Sequence, residues 1–502
     1  MRLAITGLAC VGLLAIAQRL YLLGQPLYGV LLLFLATGIA VVFGQRRFLA
    51  ARFVFPAVAA VLLFIAFPVG YTIWLGFTNY GSFNLLTKER ATAVILSTRI
   101  VDEASSRPFS LVQEEGASGT PMYRLLFPGT DEQPTLISEH HPLDGSVATL
   151  GIILLDTAPP ETLPRRDVIK HRKAIENLTI ELPDETGELH YASLRTFAAT
   201  QPEFTRAENG VLESTVDDRV LTADDTRGFY VDGDGKSVAP GWRVPVGLAN
   251  FKRIITNPGI REPMVGIFIW TLVFACLSTV LTFSLGVALA TVLQWRHLAF
   301  KRLYRLLLIL PYAVPSFISI LVFRGLFNQN FGEINLIIET LFGGRPDWFT
   351  DPTLARTMVM IVNVWLGYPY MMLLAMGYLQ SVPNEHVEAA TLDGAGPFKT
   401  FMKITLPQII PAFVPLLIAT FAFNFNNIVL ILLLTNGAPD IPGTRIPAGS
   451  TDILGSFTYR LAFQDSGQQF GLAGAITLLI FIVVGLLAYA NLVALRRRGH
   501  QP

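Results

Sequence analysis

The segment "FAFNFNNIVL", residues 421–430, sets three asparagines within four residues inside a run otherwise apolar enough to lie in a membrane. At 100° per residue, Thr420, Phe423, Asn424 and Asn427 share one helical face, at relative angles of about 0°, 300°, 40° and 340°. Asn426 falls off that face, at about 240°. A hydroxyl, two amides and an aromatic ring on one face make a candidate ligand-contact surface. The competing use is structural: polar side chains in membrane bundles hydrogen-bond between helices for around 1 kcal/mol or less each. Asn424 and Asn427 are the ligand-contact candidates of this face, and helix packing is the expectation for Asn426.

A second constellation, "PNEHVEAATLDGAGPFKTFMKITLP" at 383–407, is too polar for the bilayer. It reads as two short helices joined at a bend. Asn384 can cap the first helix, Gly394 can end it in a left-handed conformation, and Pro397 suits the first turn of the next. Ala389 and Ala390 keep the surface low enough for another backbone to approach, and Glu388 offers an anionic anchor to an Arg or Lys of a partner. These features fit a docking site and also any surface helical hairpin.

The elements that must position these residues follow from composition. The 502 residues are 52% hydrophobic and 15% charged, with a mean hydropathy of +0.50, whereas soluble domains carry about 25% charged residues. A hydrocarbon core about 30 Å thick needs roughly 20 apolar residues per helix, and eight runs qualify: 3–22, 26–44, 53–77, 265–294, 303–325, 356–380, 410–435 and 470–495. Basic residues set orientation. They cluster at Arg46, Arg47 and Arg52, at Arg296, Lys301, Arg302 and Arg305, at Lys399 and Lys403, and at Arg496, Arg497 and Arg498. All four clusters fall on one side if both termini are cytoplasmic. Residues 81–260, with 26 acidic against 18 basic residues, then form an extracytoplasmic insert, with smaller outer loops at 326–355 and 436–469. The expected domains are helices 1–3 over 1–77, the insert over 78–264, and a helical core over 265–502. Strand-like alternation and turn signals in "RKAIENLTIELPDETGELHYASL" make the insert mostly β with some helix. Cys10 and Cys276 both sit in apolar runs, so the insert has no disulfide to staple it.

Other chemistries are disfavoured. No span carries Asp or Glu in its interior, against ion- or proton-coupled transport. "YVDGDGKS" at 230–237 has Tyr230 where a phosphate-binding loop needs its first glycine, and reads as an Asp-Gly turn. His140 and His141 lie in a polar loop with no third ligand at metal spacing, and the net charge of +1 points to no nucleic acid. Asn177-Leu-Thr179 is an incidental sequon. The first apolar run, with Ala15 and Ala17 in an Ala-x-Ala arrangement, is expected to be retained as a span rather than cleaved.

Glu388-Ala389-Ala390, Gly394, Ile404 and Leu406-Pro407 match, at every signature position, the EAA motif of ATP-binding-cassette importer permeases. Beyond the motif, "LLILPYAVPSFISILVFRGLFNQNFGEIN", "IVNVWLGYPYMMLL", "FAFNFNN", "LLTNGAPD", "GFTNY" and "LRTFAATQP" resemble the MalF-type permeases of maltose and maltodextrin importers along nearly the whole chain. The resemblance implies an all-α type I importer permease of about eight transmembrane helices with a mostly-β insert between helices 3 and 4, in a bacterial inner membrane. It implies alternating access without covalent chemistry, so the chain is no enzyme and holds no cofactor, while ATP and Mg²⁺ are used by an ATPase partner. The implied partners are a MalG-type permease, a MalK-type ATPase homodimer, a periplasmic maltose-binding protein, maltose or maltodextrin, and membrane lipid. Glu388, Ala389, Ala390, Asp393 and Gly394 would couple to the ATPase, and Leu366, Gly367, Tyr370, Thr420, Phe423, Asn424 and Asn427 would line the sugar pocket. Tyr370, at the Pro369 bend, has core packing as its competing use. The family often has Ser at the position of Thr420, whose added methyl would trim the pocket. Another α-glucoside such as trehalose is the alternative cargo, and a membrane receptor or sensor the alternative class.

Overall fold

The computed structural model describes every residue except 1, 24–25, 116–120, 130–133, 156, 183–186, 209, 296, 445 and 499–502. Arg296 therefore lies outside the described residues, as do the side chains of Arg46, Arg496, Arg497 and Arg498. Two compact units result, a helical one from residues 1–82 and 245–502, and an insert spanning 83–244. The insert is narrower than the expected 78–264, because the residues from 245 onward already pack with the helical unit.

In the helical unit all eight apolar runs are helical, but not all as single spans. The helices that matter here are α1 (Arg2–Leu22), α2 (Pro26–Gly44), α3 (Ala51–Leu75), α4 (Pro258–Gln294), α5 (Lys301–Ala313), α6 (Ser316–Leu326), α7 (Pro352–Gln380), α8 (Asn384–Leu392), α9 (Pro397–Phe425), α10 (Ile428–Leu434), α11 (Leu454–Phe463) and α12 (Phe470–Arg498). Among the described residues five are long and apolar enough to cross a bilayer alone, or six if α5 and α6 count as one bent span. Thr6–Leu22 and Phe470–Leu486 are shorter apolar helices.

Prolines account for most of the irregularities. Pro315 excludes its predecessor from helical dihedrals, so Val314 is extended (φ −90°, ψ 133°) and the expected 303–325 span bends by 94°. Within α3 and α9 a single wide turn, Leu62–Ala66 and Phe401–Thr405, comes just before Pro68 and Pro407. A proline ring displaces the carbonyl four residues earlier, and the extra residue in the turn relieves that clash.

Helices α4 and α7 pack closely because glycine stands at their contacts. A Cβ at Gly286 would lie 2.8 Å from the Met372 backbone nitrogen, and one at Gly367 would lie 2.6 Å from Cγ2 of Thr282. In lipid no water competes for helix contacts, so such small residues let van der Waals packing hold the pair.

The loop from α10 to α11 is locked by a buried ionic network. Arg460, 7% exposed, donates to Asp452 (0% exposed) at 2.6 Å and to Asp440 at 2.9 Å. Asp452 also accepts from the Ser456 hydroxyl at 2.7 Å and the Gly449 N–H at 2.8 Å. The loop is tied outward as well, with Trp270 Nε1 donating to the Thr451 carbonyl and Arg356 Nε to that of Ser450.

In the insert, strand pairing runs from Arg99–Val101 through Thr196–Pro202, Glu188–Ser193, Leu178–Glu181, Ala148–Leu154, Leu136–Ser138 and Pro121–Phe127 to Ser110–Glu115. Ala148–Leu154 and Leu178–Glu181 pair in parallel, Leu150 against Ile180. Parallel neighbours need a long crossover, here carrying helices Arg165–Lys170 and Arg172–Ile175, whose Val168 and Ile175 cover the core with Leu111, Leu125, Phe127 and Phe197. A separate meander begins at Phe204–Arg206 and ends in the hairpin Phe229–Val231/Ser237–Val238. "YVDGDGKS" is the turn of that hairpin, with Gly235 at φ +78° and its N–H donating to the Asp232 carbonyl. The two adjacent histidines separate: His140 bonds Glu114 at 2.6 Å, drawing the pKa of that carboxyl below its ordinary value, while His141 is buried with Nδ1 accepting from the Leu143 N–H. The expectation of a solvated loop thus fails for His141. Among the described residues no His, Cys, Asp and Glu group could hold a metal ion.

The network in the α10–α11 loop carries a prediction. Arg460→Met leaves the Asp452 carboxylate buried without its cation, and should destabilise by about 3–5 kcal/mol. Thermal unfolding of the detergent-solubilised protein measures this. Adding Asp452→Leu should recover most of the loss, because the uncompensated charge goes with it.

Candidate functional site

The expected sugar-contact face is interrupted. Helix α9 stops at Phe425, and Asn426 (φ −112°, ψ 17°) and Asn427 (φ −77°, ψ 66°) leave helical geometry before α10 begins. No proline causes this. Asn side chains compete with the backbone ladder by bonding nearby main-chain groups: the Asn427 carboxamide oxygen caps α10 through the Leu430 N–H at 3.5 Å, and the Asn426 amide donates to its own Ala422 carbonyl at 3.2 Å. The placement of Asn427 therefore comes from the break, not from helical continuation. Asn426 is exposed, and among the described residues its side chain bonds only its own helix rather than another one.

Three asparagines form a ladder across helices. Asn427 Nδ2 donates to Asn363 Oδ1 at 3.1 Å, Asn363 Nδ2 to Asn424 Oδ1 at 3.1 Å, and Asn424 Nδ2 to the Thr279 hydroxyl at 3.3 Å. Helices α4, α7 and α9 meet there, with the start of α10. Asn363 and Asn424 are each 4% exposed. Asn363 was not among the expected residues, yet the sequence carries a signal for it. Measured from Asn363, Leu366, Gly367 and Tyr370 lie at about 300°, 40° and 340°, the same pattern as Phe423, Asn424 and Asn427 measured from Thr420.

The ladder thus joins Asn424 and Asn427 directly. Among the described residues no side-chain hydrogen bond links Leu366, Gly367, Tyr370, Thr420 or Phe423 to it. Phe423 is 67% exposed and Tyr370 40%, the latter stacked on Tyr312 with ring centroids 6.5 Å apart. Thr420 is half-buried, Leu366 packs partly buried against the cluster that includes Ile320, Met358 and Leu430, and a Cβ at Gly367 would meet Thr282. The amides of Asn363 and Asn424 are buried and bonded within the ladder, while the rings of Phe423 and Tyr370 are exposed. A larger groove of about 770 Å³ lies between α4 and α7, lined by Leu277, Leu281, Met360, Ile361, Trp365 and Tyr368. It contains none of the seven expected residues, and its apolar walls suit a packed helix or lipid rather than a sugar.

The polar hairpin takes a different form from the expected pair of short helices. Asn384 is the first residue of α8, which has Pro383 before it and no side-chain cap, so Asn384 does not cap. Gly394 does end α8 at φ +76°. The Gly394 N–H donates to the Thr391 carbonyl at 3.1 Å and the Ala395 N–H to that of Ala390 at 2.9 Å, a Schellman closure. Pro397 starts a helix, but that helix is α9 itself and runs on to Phe425. Glu388, Ala389, Asp393 and Gly394 are exposed and Ala390 is buried. A groove of about 410 Å³ is lined by His386, Ala389, Ala390, Asp393, Lys399 and Lys403.

Residues 86–247 match the family described as "Maltose transport system permease protein MalF P2 domain", and residues 265–498 that of the "Binding-protein-dependent transport system inner membrane component". The maltose/maltodextrin permease MalF of Escherichia coli K12 is 44% identical over 497 residues, covering 95% of this chain and 93% of the relative. Those of Photorhabdus laumondii and Salmonella typhi are 46% and 44% identical with the same coverage. The chain belongs to the MalF family. As a MalF-family protein it is an inner-membrane permease subunit of a binding-protein-dependent importer, not an enzyme.

Asn363→Leu tests the ladder. It orphans Asn424 Oδ1 and Asn427 Nδ2, each costing about 1–3 kcal/mol where buried. Asn426→Leu, which removes only an exposed bond within one helix, should shift stability by less than about 0.5 kcal/mol. Thermal unfolding of the two variants side by side checks the difference.

Proposed function

We propose that this chain carries maltose and maltodextrins through the membrane by alternating access, taking the sugar from a periplasmic maltose-binding protein. The observation that carries the reading is the amide ladder beside the exposed rings of Phe423 and Tyr370, within a chain related along most of its length to maltose permeases. Asn424 and Asn427 would meet the sugar hydroxyls with Thr420, the rings of Phe423 and Tyr370 would cover its C–H faces, and Leu366 and Gly367 would shape the wall. Asn363 would hold the two amides in register. Trehalose or another α-glucoside offers the same chemistry and is the alternative cargo.

Both termini would be cytoplasmic, the insert extracytoplasmic, and the spans about eight, counting α5 with α6 and α1 and α12 as crossings. The groove beside α8 would face a MalK-type ATPase homodimer, which uses ATP and Mg²⁺, and a MalG-type permease would complete the translocation path. Glu388, Ala389, Ala390, Asp393 and Gly394 would form the contact with the ATPase. This assignment is supported by the exposure of Glu388, Ala389, Asp393 and Gly394 around the closed end of α8, where Ala390 is buried, and by the direct passage of the chain from Pro397 into the helix that bears Asn424. At 1.5 Å per residue, that helix spans about 43 Å.

Two variants test the reading in the assembled complex reconstituted with its binding protein. Phe423→Ala should weaken maltose transport at least about tenfold, the effect of losing one packed ring worth about 1.5 kcal/mol, while subunit assembly is unchanged. Unaltered transport by that variant refutes the pocket. Gly394→Leu strains a left-handed position and should abolish maltose-stimulated ATP hydrolysis while sugar binding by the binding protein persists.

A further inference from the structure

We infer that Thr279 of α4 is a positioning residue for the sugar, given the pocket proposed for Asn424 and Asn427: it sets which way their amides point. Followed in one direction, the hydrogen bonds at the α9–α10 break form a single chain. The Leu430 N–H donates to Asn427 Oδ1 at 3.5 Å, Asn427 Nδ2 to Asn363 Oδ1 at 3.1 Å, Asn363 Nδ2 to Asn424 Oδ1 at 3.1 Å, and Asn424 Nδ2 to Thr279 Oγ1 at 3.3 Å. The Thr279 hydroxyl in turn donates to the Ala275 carbonyl at 2.7 Å. Both ends are main-chain groups of fixed role, since an N–H can only donate and a C=O only accept. Between them every amide must turn its oxygen toward Leu430 and its nitrogen toward Thr279. Reversing Asn363 alone would set nitrogen against nitrogen on one side and oxygen against oxygen on the other.

Thr279 is the link whose role its own chemistry does not fix. A hydroxyl can donate or accept, and one that donated to Asn424 would favour the reversed amide. On a helix a threonine hydroxyl reaches the carbonyl four residues back, here that of Ala275, so its proton is committed there and only lone pairs face Asn424. Thr279 is 7% exposed and acts on the cargo through Asn424. An amide carries two N–H groups and two lone pairs, and the chain uses one of each on Asn424 and on Asn427. The N–H and the lone pair that each keeps for a sugar hydroxyl are therefore held in place. Linked bonds of this kind polarise one another, so an amide within the chain does not turn to suit a hydroxyl that is missing or inverted. Thr279 thus contributes to the choice among sugars.

Maltose transport per assembled complex, reconstituted in vesicles with its binding protein, tests this with Thr279→Val and Thr279→Ser. Valine keeps the shape and removes the acceptor, whereas serine keeps the hydroxyl and removes a methyl. Thr279→Val should lower transport about tenfold and Thr279→Ser less than about twofold. A residue that only packed helices would give the opposite order, because serine leaves the larger gap; that order, or equal rates, overturns the inference. Thermal unfolding separates orientation from stability: a hydroxyl needed only for stability would lower the unfolding temperature of Thr279→Val and leave transport per folded complex unchanged. Phe423→Ala, measured alongside, tells the two failures apart. Slow transport by Phe423→Ala with normal transport by Thr279→Val keeps the pocket and refutes the role of Thr279, while normal transport by Phe423→Ala removes the pocket and the inference with it. If Thr279→Val does not assemble, Thr279→Cys takes its place; its sulfur is a weak acceptor, so it must transport more slowly than Thr279→Ser, and equal rates refute the role.

Discussion

The hydrogen bonds among Asn363, Asn424 and Asn427 make the break between α9 and α10 possible, and the central architecture depends on that break. Hydrocarbon offers no water to an interrupted helix, so every freed backbone group needs a partner inside the protein. Here the Asn427 N–H returns to the Asn424 carbonyl at 3.2 Å, the Ile428 N–H to that of Asn426 at 2.8 Å, and the Leu430 N–H to the Asn427 side chain. The side chains that cap the break are themselves held, through Asn363 and Thr279, by α7 and α4. Break and ladder support each other: without the ladder the amides would be orphaned, and without the break Asn427 would lie on α9 and could not cap α10.

Helix α10 has only seven residues, too few to be stable alone, and both of its ends are tied. At its start stands Asn427. At its close, the Thr435 hydroxyl meets that of Thr451 at 2.8 Å, and Thr451 belongs to the loop locked by Asp452 and Arg460. Buried charge is a poor source of stability against an apolar alternative, but a paired charge with fixed donors permits few arrangements. The Ser456 hydroxyl and the Gly449 N–H fill the remaining sites on Asp452, which fixes one conformation for a loop that contains Asn436 and Gly437 at positive φ. The amide ladder and the ion pair are thus two clamps on one short helix.

Much of this was legible in the sequence, and the failures share a cause. Apolar runs, the β-rich insert, the left-handed Gly394 and the helix start at Pro397 each follow from local pattern, and each appears. The break after Phe425 does not, because asparagine interrupts a helix only when partners elsewhere hold its amide, and those partners lie 61 to 145 residues away in sequence. Asn363 escaped notice as a lone amide in an apolar run, although its spacing to Leu366, Gly367 and Tyr370 repeats that of the 420–427 face. Asn384 looked like a cap because cap preference is local, but Pro383 takes that position and puts Asn384 inside α8. Polar residues 397–405 looked like a separate short helix because patterning registers where a helix leaves the apolar layer, not where it ends.

The continuity of α9 sets how movement at one end can reach the other. Pro407, Pro411 and Pro415 repeat every four residues and are all exposed, so they share one stripe of the helix. Each lacks the N–H that would bond the carbonyl four residues earlier, which leaves Lys403, Pro407 and Pro411 without those bonds along that stripe. The wide turn at Phe401–Thr405 adds a further weak point beside them. From Leu416 to Phe425 no proline interrupts, and Asn424 is fixed by the ladder. The helix therefore lacks backbone bonds from the wide turn at Phe401–Thr405 to Pro415 and is continuous near the asparagines, and it bends most easily in the one plane that opens or closes the proline stripe.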